Sequence, residues 1–184
     1  MGDLSKIHIL KKILLLSDTH GCLDEKILNH VEQADEVWHA GDIGKMSVLD
    51  KLAKMKPLRA VYGNIDSHSI RQEAPEYLCF NCEGLKVLML HIGGSPGRYV
   101  PRAKALITEH QPKLFVCGHS HILKVIQDPK YGHLHMNPGA VGISGFHKIR
   151  TLLRFQLEDG KINHLEAIEL GLRGALSNAV DGAD

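Results

Sequence analysis

The chain has 184 residues, is 43% hydrophobic and 23% charged, and carries a formal net charge of +1. These values suit one domain with a solvated core and exclude the disordered and fibrous classes. A balance this near neutrality offers no cationic footprint for duplex nucleic acid or anionic lipid, so neither is expected as a partner. The 13 histidines are the anomaly, because histidine is the commonest metal ligand and titrates most easily near neutral pH.

Residues 1–10 are set aside as an extension, natural or left over from expression, and residues 11–170 as the domain. The apolar run Ile13 to Leu16 after Lys6, Lys11 and Lys12 is too short for a signal-peptide core or a membrane span. Lys12 to Asp18 is an apolar run closed by polar residues, the pattern of a strand buried on both faces. Leu23 to Val31 has helical spacing, and the alternation repeats with Glu36 to Ala40, Lys45 to Met55 and Leu58 to Tyr62. Three such steps predict a parallel sheet with right-handed crossovers.

From Glu76 the rhythm changes. Tyr77 to Asn81 and Leu85 to His91 flank a Glu83-Gly84 turn, then a helix is predicted over Pro101 to His110 and a buried strand over Leu114 to Cys117. Ile122 to Gln127, Gly132 to Met136, Ile149 to Leu157 and Ile162 to Ile168 are expected to be antiparallel strands, with Asp128-Pro129 and Asp159-Gly160 as turns. Residues 171–184 lack periodicity and aromatics and are expected to form a loose tail. Cys22, Cys79, Cys82 and Cys117 fit free thiols in a reducing compartment, so a cytoplasmic location is expected. Cys79-Phe80-Asn81-Cys82 is a C-x-x-C, but it has no second pair at zinc-site spacing and its flanks resemble a strand.

Ligand-type residues recur where the buried strands stop. Asp18 and His20 close the first, Asp42 the second in Gly41-Asp42, and Asn64 the third in Gly63-Asn64. His91 ends the fourth, and His119 and His121 follow the fifth in Gly118-His119-Ser120-His121. Ligands of α/β sheets bind beyond the carboxyl ends of strands, so these seven donors can converge. Oxygen and imidazole donors without thiolate suit Mn, Fe, Zn, Ni or Co and are too rich in nitrogen for calcium. Seven donors exceed the needs of one ion with an open position, whereas two ions sharing a bridging carboxylate, roughly 3.5–4 Å apart, would use them.

The ordered set Asp18-Thr19-His20, Gly41-Asp42, Gly63-Asn64, His91, Gly118-His119-Ser120-His121 and Asn137-Pro138-Gly139 resembles the calcineurin-like metallophosphoesterase superfamily. The chain's size is similar to that of its small YfcE-like phosphodiesterase branch. The resemblance implies an α/β fold, a single-domain four-layer α/β/β/α sandwich of two mixed sheets with a dimetal site at the strand ends. It implies that Asp18, His20 and His121 hold one ion, that Asn64, His91 and His119 hold the other, that Asp42 bridges them, and that Asn137-Pro138-Gly139 is a turn. Two divalent ions are expected as cofactors, manganese first. One departure concerns catalysis: many members carry a histidine directly after the Gly-Asn pair, where it serves the leaving group, but here Ile65 stands there. That removes a general-acid route worth typically 10²–10⁴-fold. His68 is the nearby candidate acid, beside Asp42 and Asn64 as catalytic residues.

The expected activity is phosphodiester hydrolysis of a small substrate, with a metal-activated water attacking phosphorus in line. Phosphomonoester hydrolysis is the enzymatic alternative. The retromer scaffold subunit resembles the same fold, which makes protein scaffolding the non-catalytic one. Homo-oligomer formation is compatible with all three. His39, Cys22, His133 and His135 are assigned to packing or surface.

Overall fold

Side chains of the first strand, β1 (Lys11–Leu16), point alternately into two apolar layers and thereby set the order of the whole fold. Ile13 and Leu15 enter one core with Trp38, Val61, Val87, Met89, Leu114, Val116 and Phe155. Leu14 and Leu16 enter another with Ile27, Val31, Val48 and Leu52, which belong to the helices α1 (Glu25–Glu32) and α2 (Met46–Met55). A third core joins Leu88, Leu90, Phe115 and Cys117 to Ala103, Leu106 and Ile107 of the helix α4 (Pro101–His110). The layers are therefore helices, sheet, sheet and helix, in a computed structural model that describes residues 10–174.

The remaining elements are β2 (Glu36–His39), β3 (Leu58–Ala60), α3 (His68–Glu73), β4 (Tyr77–Cys82), β5 (Leu85–Leu90), β6 (Gly94–Ser95), β7 (Arg98–Tyr99), β8 (Leu114–Val116), β9 (Leu123–Asp128), β10 (His133–Pro138), β11 (Ile149–Glu158) and β12 (Lys161–Leu172). One sheet has the order β12-β11-β1-β2-β3 and the other β4-β5-β8-β10-β9. In the first, β1, β2 and β3 are parallel and β11 runs against β1. In the second, β5, β8 and β10 are parallel, while β4 and β9 are antiparallel edges.

Both sheets are thus mixed, and the division into a parallel first half and an antiparallel second half is corrected. Leu114-Phe115-Val116 is buried on both faces, which suits a central parallel strand, and α4 supplies the crossover from β5. The last long hairpin, β11 with β12, returns to the first sheet beside β1. Gly171 and Leu172 belong to β12, where Leu172 pairs with Ile149, so strand replaces the expected tail there. The rest of that stretch from 175, and residues 1–9, lie outside the described residues.

Helix α3 and the β6–β7 hairpin escape sequence periodicity because they are too short to show one; α3 buries only Ile70. Cys82 lies in the core between the sheets while Cys79 packs on the opposite face of β4, so the odd spacing separates the two free thiols. No helix among the described residues is long and apolar enough to cross a membrane.

Candidate metal centre

The loops after β1 and β2 are stitched together by backbone hydrogen bonds from Asp18 N–H to Gly41 O at 2.9 Å and from His20 N–H to Asp42 O at 3.0 Å. Asp18, His20, Asp42, His119 and His121 all have left-handed backbones, with φ of 56°, 47°, 54°, 67° and 56°. Such conformations cost non-glycine residues on the order of 1–3 kcal/mol each and persist only where the surroundings impose them. Here the imposed turns bring the five side chains into two donor groups. Gly63 allows the third loop to close, since a Cβ there would collide with Asp42 Oδ1 and the Asp42 nitrogen.

Two donor groups result. Asp18, His20 and His121 form one and Asp42, His91 and His119 the other, with the ligand atoms of each group within 4.8 Å of one another. His121 Nε2 is 3.0 Å from Asp18 Oδ1, and His91 Nε2 is 3.1 Å from Asp42 Oδ1. Asp42 Oδ2 is also 3.7 Å from His20 Nε2, which puts this carboxylate between the groups. Asn64 is exposed in the loop after β3 and lines the same cavity as His91.

The donor chemistry fits cations. Asp18 Oδ1, His20 Nε2 and His91 Nε2 are buried without a hydrogen-bond partner, a costly arrangement unless their lone pairs share an ion. His91 Nδ1 lies 2.7 Å from Ala40 O. A carbonyl can only accept, so Nδ1 carries a proton; loss of the Nε2 proton to an incoming cation would leave the tautomer a ligand needs. Burial pushes the Asp42 carboxyl up, but His91 and the Ile65 N–H outweigh it and hold it below the usual range.

Several supporting residues were not legible in the sequence. Asp66 is buried and accepts from Ile43 N–H at 3.1 Å, Gly44 N–H at 2.7 Å and Gly63 N–H at 2.8 Å, tying the second and third ligand loops together. Its place three residues after Gly63 was the only sequence signal. His39, taken as packing, is buried and contacts Thr19 Oγ1 at 2.9 Å, and Thr19 Oγ1 in turn donates to Ile43 O. Asn137 braces the His119 loop through Gly118 O at 2.7 Å and closes its own turn by accepting from Gly139 N–H. His68, the candidate acid, is the first residue of α3; it is exposed and lines neither cavity beside the donors.

Two cavities flank the His91 and His119 pair and share Ile92 and Val100 as a partition. One, of about 360 Å³, holds Tyr62, Asn64, Arg71 and Arg102; the other, of about 320 Å³, holds Ser95, Ser120, Ile122 and Lys124. A further cavity, of about 650 Å³ against α2 and β3, contains none of the seven donors.

Comparison with known proteins gives the family and the fold. "Probable metallophosphoesterase" proteins of Methanothermobacter thermautotrophicus and Mycoplasma pneumoniae are 25% and 27% identical, over 68% and 85% of this chain and 74% and 96% of theirs. A crystal structure of Vps29 from Entamoeba histolytica, 16% identical, superposes with a TM-score of 0.65 over 87% of this chain and 99% of that one, which shows the shared fold. The family model of the calcineurin-like phosphoesterase superfamily domain matches residues 12–160, and the chain belongs to that superfamily.

Proposed function

We propose that this protein is a dimetal phosphodiesterase acting on small phosphate esters. The observation that carries the reading is the Asp42 carboxylate between two three-residue donor groups, with orphaned ligand atoms on either side. Two divalent ions, manganese first, would be held by Asp18, His20 and His121 and by Asn64, His91 and His119, with Asp42 shared. Bound there, they supply Lewis-acid activation of water and neutralise charge on the phosphoryl oxygens. The chain's own residues do the rest. Ala40 O orients His91 and the Asp66 network ties the ligand loops together, while the Ile92–Val100 partition divides the space beside the His91 and His119 pair into two cavities, one for each ester arm.

The preference for diesters rests on those two arms and on Ile65. That side chain is 46% exposed and cannot donate a proton, and its N–H is committed to Asp42 Oδ1 at 3.1 Å. Good leaving groups are therefore favoured. The test is a metal-reconstituted assay with matched aryl monoesters and diesters: faster diester cleavage is expected, and faster monoester cleavage overturns the diester assignment. A non-catalytic scaffold is the alternative that the Vps29 likeness raises; the complete donor set favours the enzyme, and absence of turnover with every divalent metal would favour the scaffold. A cytoplasmic setting and the native metal are part of the same reading.

A further inference from the structure

The loop between β10 and β11 ends against the first donor group. Val141 N–H donates to Ser17 O at 3.1 Å and Gly142 N–H to Asp18 O at 3.0 Å, which pins the start of the loop to the Asp18 turn. Gly145, at φ +121°, lies flat on the His121 imidazole, and a Cβ there would run into His121 Nδ1 and Cε1. His147 then contacts His121, Nδ1 to Nδ1, at 3.1 Å. Its other nitrogen, Nε2, lies 3.0 Å from Gly142 O.

These two contacts determine the protons. Gly142 O can only accept, so His147 Nε2 carries hydrogen; in the neutral ring His147 Nδ1 is then a bare acceptor. Across the 3.1 Å contact one of the two nitrogens must donate, and only His121 Nδ1 can. In its neutral form His121 then has Nε2 bare, 3.0 Å from Asp18 Oδ1.

We propose that His147 is a positioning residue that fixes the tautomer and aim of His121, through the relay Gly142 O, His147, His121. The inference rests on the dimetal reading for its consequence but not for its geometry. The relay requires an acceptor at His147 Nδ1 and a donor at Nε2. Glutamine can supply both, through Oε1 and Nε2, lysine supplies donors only, and leucine supplies neither.

The test uses the whole chain and two readouts. Nitrogen NMR of the metal-free protein is expected to show His121 protonated at Nδ1 in the wild type and in His147→Gln, but not predominantly so in His147→Lys. Calorimetric titration with Mn²⁺ is expected to show roughly 10–100-fold weaker binding of one ion in His147→Leu and His147→Lys, the usual loss for an outer partner of a ligand, with His147→Gln restored to within about threefold. A purely packing role would not separate glutamine from leucine, which are uncharged and similar in size. A wild-type His121 protonated at Nε2, or equal Mn²⁺ affinities in the glutamine and lysine variants, overturns the proposal. If the wild type binds no Mn²⁺, the dimetal reading falls, and the tautomer measurement still decides the relay.

Discussion

Asp42 Oδ1 lies 3.1 Å from His91 Nε2, yet that nitrogen has no hydrogen-bond partner. The two groups are close but misaligned for each other, as expected of ligands that converge on a third atom. Asp42→Asn keeps the shape and removes the charge shared by both groups. Activity is expected to fall by roughly 100-fold or more, the scale on which charge-stabilising groups act. Calorimetry should show one strong ion in place of two, and unchanged activity would sink the dimetal mechanism.

Asp66 holds three backbone N–H groups from two ligand loops. In Asp66→Ala these buried donors lose their acceptor, and each uncompensated one costs about 1–3 kcal/mol. A loss of at least about 3 kcal/mol is expected in urea unfolding of the metal-free protein, together with weaker Mn²⁺ binding. Metal affinity that survives intact would show that the loops hold their shape without this carboxylate.

Burial pulls His39 and His135 down to about 4 from 6.5. The unfolded chain therefore binds more protons between these values, so stability falls as pH drops below 6.5 and the loss is complete near pH 4. Each histidine contributes about 3 kcal/mol across that window at 1.36 kcal/mol per pKa unit. Unfolding of metal-free protein at pH 7 and pH 5 should show the decline, with a shallower slope in His135→Gln. A flat profile would contradict the buried neutral state of both rings.

Trp38 is the one tryptophan of the sequence and is fully buried between the sheets, edge-to-face with Phe80 and Phe155 at 5.2 and 5.6 Å. Its fluorescence should report separation of the two sheets directly. Trp38→Leu is expected to cost about 3 kcal/mol, through lost burial and a residual cavity. Glu36 Oε1 also loses the Trp38 Nε1–H donor, 2.8 Å away. A loss below about 1 kcal/mol would mean that the interface repacks freely.

Periodicity and composition determined much of this protein. Runs such as Ile13 to Leu16 and Leu114 to Val116 could only be buried strands, because an apolar stretch that short must be covered on both faces. The polar residues that end these runs named the donors, since the carboxyl ends of strands converge. What the one-dimensional pattern cannot carry is partnership across the chain. The parallel alignment of β5, β8 and β10 and the return of β11 to β1 depend on which apolar faces meet after folding. His68 and His147 are both loop-region histidines to the eye, yet only His147 touches a donor, 26 residues away at His121. Left-handed turns at five donors, the Asp66 clamp and the histidine relay all rest on hydrogen bonds between distant segments. The sequence alone nominated the candidate donors; only the tertiary structure decided which of their atoms are left without a partner, because a lone pair is exposed or spent according to the neighbour that folding brings to it.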